Sequence, residues 1–253
     1  MTKGIDISHH NNDRGAIDFQ KVKQAGYDFV IIKAGGAEVG YYTDSCFEKN
    51  YAGAKSAGLH VGAYYFTSAF TTAEQGRIQA QKFLDIIKGK TFDFPVYVDV
   101  ERFAGNPAGA TSATIAFCDC MEQNGYFVGI YSSDISGFKE NLILDRLGDY
   151  SKWVARYGSE PKFVDGYGIW QKSETGRVDG ISGNVDLNEC YVNYPAIIKG
   201  AGLNGFTRAE AVVLPVAQPI VVEVEPEDFT KKKSIDIMIK IDDVDYSGTV
   251  YQD

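Results

Sequence analysis

Long apolar runs are missing from this sequence: no stretch approaches the ~18 consecutive apolar residues that a membrane-spanning helix requires. Cysteine is scarce as well. Cys46, Cys118, Cys120 and Cys190 have neither the density of a disulfide scaffold nor the spacing of a zinc site, so they read as reduced, buried thiols made in a reducing cytoplasm. Histidine occurs only as His9, His10 and His60, and no pair has metal-ligand spacing; no metal and no cofactor is expected. Basic charge also falls short. Lys and Arg number 25 against 34 Asp and Glu, a net charge of −9 and a pI near 4.9, which argues against nucleic acid or an anionic membrane surface as the main partner. The opening residues Met-Thr-Lys-Gly run directly into a strand, leaving no room for a signal peptide, and none is expected in this chain.

What is present suffices for one barrel-sized domain with an appendage: 253 residues, 44% of them hydrophobic. The 16 Tyr and 15 Phe suit a protein that stacks on sugar rings, but a well-filled barrel accounts for most of them.

Strand and helix signals alternate from the start. Gly4 to Ser8 is a short strand with an acid inside it, followed by the polar loop His9 to Asn12. Asp18 to Gly26 reads as an amphipathic helix with Asp18 as N-cap and Gly26 as its stop. A strand at Phe29 to Ala34, a helix from Thr43 to Gly58, a strand at His60 to Phe66 and a long helix from Thr71 to Lys88 follow. Pro95 to Glu101 is the fourth strand. Thr111 or Ser112 can cap a helix running to Gly125, and Phe127 to Tyr131 is the fifth strand. Short strands at Trp153 to Tyr157, Tyr167 to Gln171 and Gly183 to Asp186 complete the set, joined by turn-like connections. Eight strand candidates, the first five alternating with helices, predict a mostly parallel closed barrel with a helix-poor last third.

The acids fall where such a barrel carries its chemistry. Residues two apart on a strand share a face, so Asp99 and Glu101 emerge side by side, about 6–7 Å apart at Cα. Asp6 and Asp186 reach the same rim by the same topology.

Beyond residue 203 the character changes. Ala211 to Pro226 holds three of the seven prolines and suits an extended linker. Ile235, Ile237, Ile239 and Ile241 then alternate with Asp236, Met238 and Lys240, and a turn around Asp242 to Asp245 with a strand from Tyr246 to Tyr251 makes a hairpin. The division expected is 1–203 for the barrel and 204–253 for a linker plus hairpin module, whose isoleucine face must dock on something and suits homo-oligomerisation.

Asp6-Ile7-Ser8, Gly62-Ala63-Tyr64-Tyr65-Phe66, Asp99-Val100-Glu101, Trp153-Val154-Ala155-Arg156-Tyr157, Trp170-Gln171 and Val185-Asp186 occur in the order seen in glycoside hydrolase family 25. Over roughly residues 3–200 the chain resembles those lysozymes, often called Chalaropsis-type. The resemblance implies an irregular TIM-like α/β barrel, (β/α)5(β)3, that cleaves bacterial peptidoglycan between N-acetylmuramic acid and N-acetylglucosamine with retention. It implies Glu101, Asp99, Asp6 and Asp186 as catalytic carboxyls and Tyr64, Tyr65, Trp170, Gln171, Tyr157 and Lys33 as substrate contacts. The family commonly has His where this chain has Tyr65, a phenol that hydrogen-bonds but does not titrate near neutrality.

Glu101, at the strand's mouth, is expected to be the proton donor, with its pKa raised by apolar walls and by Asp99. Asp99, two residues deeper, is expected to stay ionised. It serves either as nucleophile or as the group that orients the substrate's acetamido group. A phage endolysin held in the host cytoplasm until lysis is the biological setting implied, with a bacterial autolysin as the other. Three rivals remain. A family 18 chitinase-like barrel also ends its fourth strand in Asp-x-Glu, but Pro95 and Tyr97 stand where further aspartates belong. A metal-dependent hydrolase would use the acids as oxygen ligands. A non-catalytic wall-binding barrel would have no need of the acid pair.

Overall fold

Runs of β-branched and aromatic residues, cut by glycine and helix-capping signals, set the strands of this chain. The computed structural model describes residues 1–208, 234–241 and 244–251. The strands of the first part are β1 (Thr2–Ile7), β2 (Phe29–Gly36), β3 (Tyr42–Thr43), β4 (His60–Phe66), β5 (Val96–Asp99), β6 (Val128–Ser133), β7 (Ser151–Ala155), β8 (Ile169–Gly176) and β9 (Val185–Cys190). The helices are α1 (Phe19–Gln24), α2 (Phe47–Ser56), α3 (Ala73–Ile87), α4 (Pro107–Gln123) and α5 (Tyr194–Ala201).

Eight strands close into a barrel in the order β1, β9, β8, β7, β6, β5, β4, β2, with β1 pairing β2. All neighbours are parallel except β9, which runs antiparallel to both β8 and β1. The short β3 adds an antiparallel pair at the end of β2, opposite Gly35 and Gly36. The expected irregular α/β barrel is therefore what forms. After β6 the fifth helix is reduced to a π-helical turn, Asp134–Lys139, and a 3₁₀ turn, Leu144–Arg146.

Local chemistry places the helices. Asp18 accepts a hydrogen bond from the Lys21 N–H at the start of α1, and Thr72 forms a reciprocal capping box with Gln75 at the start of α3. Helix α4 begins earlier than the sequence reading put it. Asn106 is the N-cap and Pro107 takes the first turn, where its missing N–H costs nothing. Thr111 and Ser112 lie inside the helix, their hydroxyls donating back to the carbonyls of Pro107 and Ala108.

The period of two sorts each strand into two layers. Ile5, Ile7, Val30, Ile32, Val96, Val98, Val128, Ile130 and Val154 face outward into the layer under the helices. Phe29, Ile31, Tyr97, Tyr131, Trp153 and Ile169 fill the interior, closed at its base by Tyr194 and Ile198 of α5. Gly129 faces the Tyr97 ring so closely that a Cβ there would collide with it. The interior is thus a packed aromatic core with a polar layer only at the C-terminal ends of the parallel strands.

At the opposite end, buried Asp93 receives Lys55 at 3.0 Å, Lys199 at 2.7 Å and His60 at 3.5 Å, tying α2, α5 and β4 to the entry of β5. The sequence reading ended the barrel at residue 203. Asn204, fully buried, donates to the carbonyls of Phe92 and Phe94 and accepts from the Phe127 N–H, so it belongs to the barrel base. A cavity of about 370 Å³ also opens at this end, lined by Asp28, His60, Phe94, Tyr191 and Asn193 among others; none of the four acids lines it.

The chain divides into two units, Met1–Ala209 and Glu210–Asp253. In the second, β10 (Ser234–Ile241) pairs antiparallel with β11 (Val244–Tyr251). Pairing reaches Val244, closer to the turn than expected; Asp242, Asp243 and the linker at Ala211 to Pro226 lie outside the described residues.

Candidate active site

Four carboxyls meet at one rim. Asp6 of β1 lies directly opposite Asp186 of β9 in the strand register. Because β9 is antiparallel, a residue near its start reaches the rim that the parallel strands reach at their ends. Asp99 ends β5, and Glu101 follows two residues on, exposed at the mouth while Asp99 is buried.

Asp6 sits in a fully formed hydrogen-bond network. Its Oδ2 accepts from Asn188 Nδ2 at 2.7 Å and from Gln171 Nε2 at 3.0 Å. Asn188 Oδ1 accepts from the Trp153 indole at 2.8 Å, and Gln171 Oε1 accepts from Tyr131 at 2.9 Å and Tyr157 at 3.2 Å. Burial raises the Asp6 carboxyl while the two amides pull it down. Asp186 is pushed up to about 9, first by burial and then by the charge of Asp6 and a hydrogen bond with it. The two aspartates therefore share a proton at neutrality.

The second pair behaves similarly. Burial raises Asp99 well above the usual carboxylate range, and the charge of Glu101 adds to it; Lys33 opposes both. Burial also raises Glu101, while a hydrogen bond from Asp99 and the charges of Lys33 and Arg102 pull the other way. Asp99 was expected to stay ionised, and its burial beside Glu101 opposes that charge. Its deeper position carries the larger desolvation cost, while Glu101 stands at the mouth. Asp99 Oδ1 is buried with no hydrogen-bond partner among the described residues.

The other expected contacts divide by strand parity. Tyr64 faces the interior beside the Trp153 ring, and burial and the charges of Asp6, Asp99 and Asp186 hold its hydroxyl protonated. Tyr157 is 48% exposed at the mouth and joined to Gln171. Gln171 itself is buried and committed to Asp6, so it organises the site from behind. Lys33 is also buried, bonded to Glu38 Oε1 at 3.2 Å with its ammonium 4.5 Å from the Phe66 ring. It supplies positive charge to the acid pair through space.

Two expected contacts lie on the wrong face. Tyr65 is fully buried in the outer layer against Phe83 and Phe117 and donates to the Gly36 carbonyl at 3.0 Å. Trp170 alternates with the inward Ile169 and Gln171, so it points out of the barrel, its indole donating to the Arg156 carbonyl at 2.7 Å. Neither faces the rim acids from inside the barrel. The sequence reading in turn missed Asn188, Tyr131 and Glu38; Asn188 is two residues from Asp186 and shares its face, a signal available once the strand is read through to Cys190. Among the described residues no group of His, Cys, Asp or Glu is arranged to hold a metal ion.

An irregular, mostly parallel barrel with two pairs of carboxyls at its C-terminal rim has the groups that glycoside cleavage calls for. The sequence pattern of Glycosyl hydrolases family 25 matches residues 5–181, and the chain belongs to that family. It is similar to an autolytic lysozyme of Clostridium acetobutylicum, 34% identical over 189 residues that cover 74% of this chain and 55% of that protein. Lysozyme M1 of Streptomyces globisporus is 32% identical over 208 residues, covering 74% of this chain and 67% of its own. The crystal structure of the CTP1L endolysin matches with a TM-score of 0.69 at 30% identity, over 79% of this chain and 70% of that one. The chain thus spans just over half the length of the first of these relatives.

Proposed function

We propose that the protein is a lysozyme that hydrolyses the β-1,4 bond between N-acetylmuramic acid and N-acetylglucosamine in bacterial peptidoglycan, with retention at the anomeric carbon. The observation that carries this reading is the Asp99 and Glu101 pair, two residues apart at the end of β5 and the mouth of an aromatic-lined barrel, both raised first by burial and then by the charge of a nearby acid. Glu101, the exposed member, delivers the proton to the leaving oxygen. Asp99 turns its unpartnered Oδ1 to the N–H of the substrate's 2-acetamido group, whose carbonyl oxygen attacks the anomeric carbon as the glycosidic bond breaks; water, giving its proton to the now ionised Glu101, then displaces that oxygen from the same face on which the leaving group stood. The charge of Asp6 supports the developing positive centre, and Tyr64 and Tyr157 line the approach.

Reducing-end analysis of digested peptidoglycan tests the reading. Muramic acid at the new reducing ends is expected; glucosamine there, or no new ends, overturns it. The likeness to an endolysin supports a protein stored in the host bacterial cytoplasm until lysis and acting on the cell wall. No helix among the described residues is long and apolar enough to cross a membrane.

A further inference from the structure

The polarity of the network behind Asp6 fixes where a proton rests. An indole N–H can only donate, so the bond from Trp153 Nε1 forces Asn188 to present Oδ1 to it and Nδ2 to Asp6. Gln171 is set in the same sense, its Oε1 taken by the hydroxyls of Tyr131 and Tyr157 and its Nε2 turned to the same oxygen of Asp6. Two N–H donors therefore converge on Asp6 Oδ2, inside a layer where Asn188 and Gln171 are almost wholly buried. Donors aimed at a carboxylate favour its charged form. Asp186, across the strand register, has no comparable donors.

We propose that Asn188 and Gln171 are positioning residues that hold Asp6 as the anion of the rim and leave on Asp186 the proton that the two opposed aspartates share. The groups facing Asp186 agree with this placement: Asp6 from β1, Glu174 from β8 and Glu101 beyond β5 are all acidic, and Tyr64 and Tyr157 are neutral phenols. Asp186 then donates its O–H to Asp6, and the pair carries one negative charge rather than two. That charge lies close enough to Glu101 to raise its carboxyl. Asn188 thereby acts through Asp6 on the proton donor, the one step that rests on the lysozyme reading.

Carbon-13 labelling of aspartate carboxyls and an NMR pH titration of the free, full-length protein test the placement without any substrate. Spectra of Asp6→Asn and Asp186→Asn assign the two signals. At neutral pH the Asp6 carbon is expected at its ionised position and the Asp186 carbon at its protonated position, moving only as the pH nears 9. In Asn188→Leu the Asp6 signal should titrate at higher pH, and as the pair's single charge passes in part to Asp186 the alkaline limb of kcat/KM should move down, by less than the roughly one pH unit that a fully lost neighbouring charge would give. Gln171→Met provides the same comparison where Asn188→Leu does not fold. Asp186 ionised at neutral pH with Asp6 protonated, or an Asp6 titration unmoved in the variant that folds, overturns the proposal. A confirmed titration with an unmoved kcat/KM profile would leave the proton placement standing and remove the link to Glu101.

Discussion

Glu101→Gln is the perturbation that bears most directly on the proposed chemistry. The amide keeps the volume and one acceptor oxygen but has no proton to give, and Glu101 is exposed at the mouth, so its replacement opens no cavity. General acid catalysis contributes about 10²–10⁴-fold, equivalent to about 2.7–5.5 kcal/mol of transition-state stabilisation. The structure adds a second expectation. The Glu101 charge is among the causes that raise Asp99; with a neutral amide in place of that carboxyl, Asp99 ionises at lower pH. The acidic limb of the variant's residual activity should therefore lie at lower pH than the parent's. Release of new reducing ends from purified peptidoglycan across a pH series measures both effects, with thermal unfolding to show that the fold is kept. A folded Glu101→Gln protein that works within a few-fold of the parent at every pH would refute the assignment of the proton donor.

Asp99→Asn should be comparably severe, and the double variant with Glu101→Gln should lose little more than either single one, because both residues serve one transition state; additive losses would separate their roles. Tyr65→Phe should leave kcat/KM unchanged while lowering stability by about 1 kcal/mol for the lost bond to Gly36, whereas Tyr157→Phe should act on KM; hydrolysis and chemical denaturation of each distinguish them. Burial would raise Asp93, but hydrogen bonds from His60, Lys199 and Lys55 outweigh it and hold the carboxyl below its usual range. Its contribution is thus present above the unfolded pKa of about 4 and lost as pH falls below it, so Asp93→Asn should destabilise the protein at pH 7 and progressively less toward pH 2 in denaturant titrations.

Much of this site could be read from alternation alone. Asp99 and Glu101 share a face because they are two apart, and Asp6 and Asp186 meet because the barrel closes between β1 and β9. The same rule separates Tyr64 from Tyr65 and Trp170 from Gln171, yet the resemblance carried all four to the rim. Parity is the stronger argument there, since a one-residue step moves a side chain to the other layer. The start of α4 was legible in Asn106-Pro107, and the hydroxyls of Thr111 and Ser112 competed with it as caps because their bonding to carbonyls one turn back has no sequence signature. The proton positions were not legible. They depend on which amide oxygen meets the Trp153 indole and on how deeply Asp99 is buried, and both are set by contacts between strands far apart in sequence.

The segment after the barrel gives the final prediction, and Asn204 determines where the cut must fall. A chain ending at residue 202 loses the bonds from Asn204 to the Phe92 and Phe94 carbonyls and from the Phe127 N–H, at about 0.5–1.5 kcal/mol each. It would lower the stability of the barrel itself and confuse that loss with any loss of targeting. A chain ending at residue 208 keeps these bonds. Residues 203–253 carry ten acids and five bases, 5 − 10 = −5, so simple charge attraction to a phosphate-rich wall is not what they offer. We propose that they serve wall recognition by shape, with self-association through the hairpin as the competing reading, since an unprotected strand edge pairs readily with a second copy. The chain ending at 208 should hydrolyse soluble glycan fragments at the parent's rate while lysing intact cells more slowly, and sedimentation should show the same number of copies per particle as in the parent. A parallel drop in that number would transfer the assignment to self-association, and equal lysis of whole cells with the number unchanged would remove both.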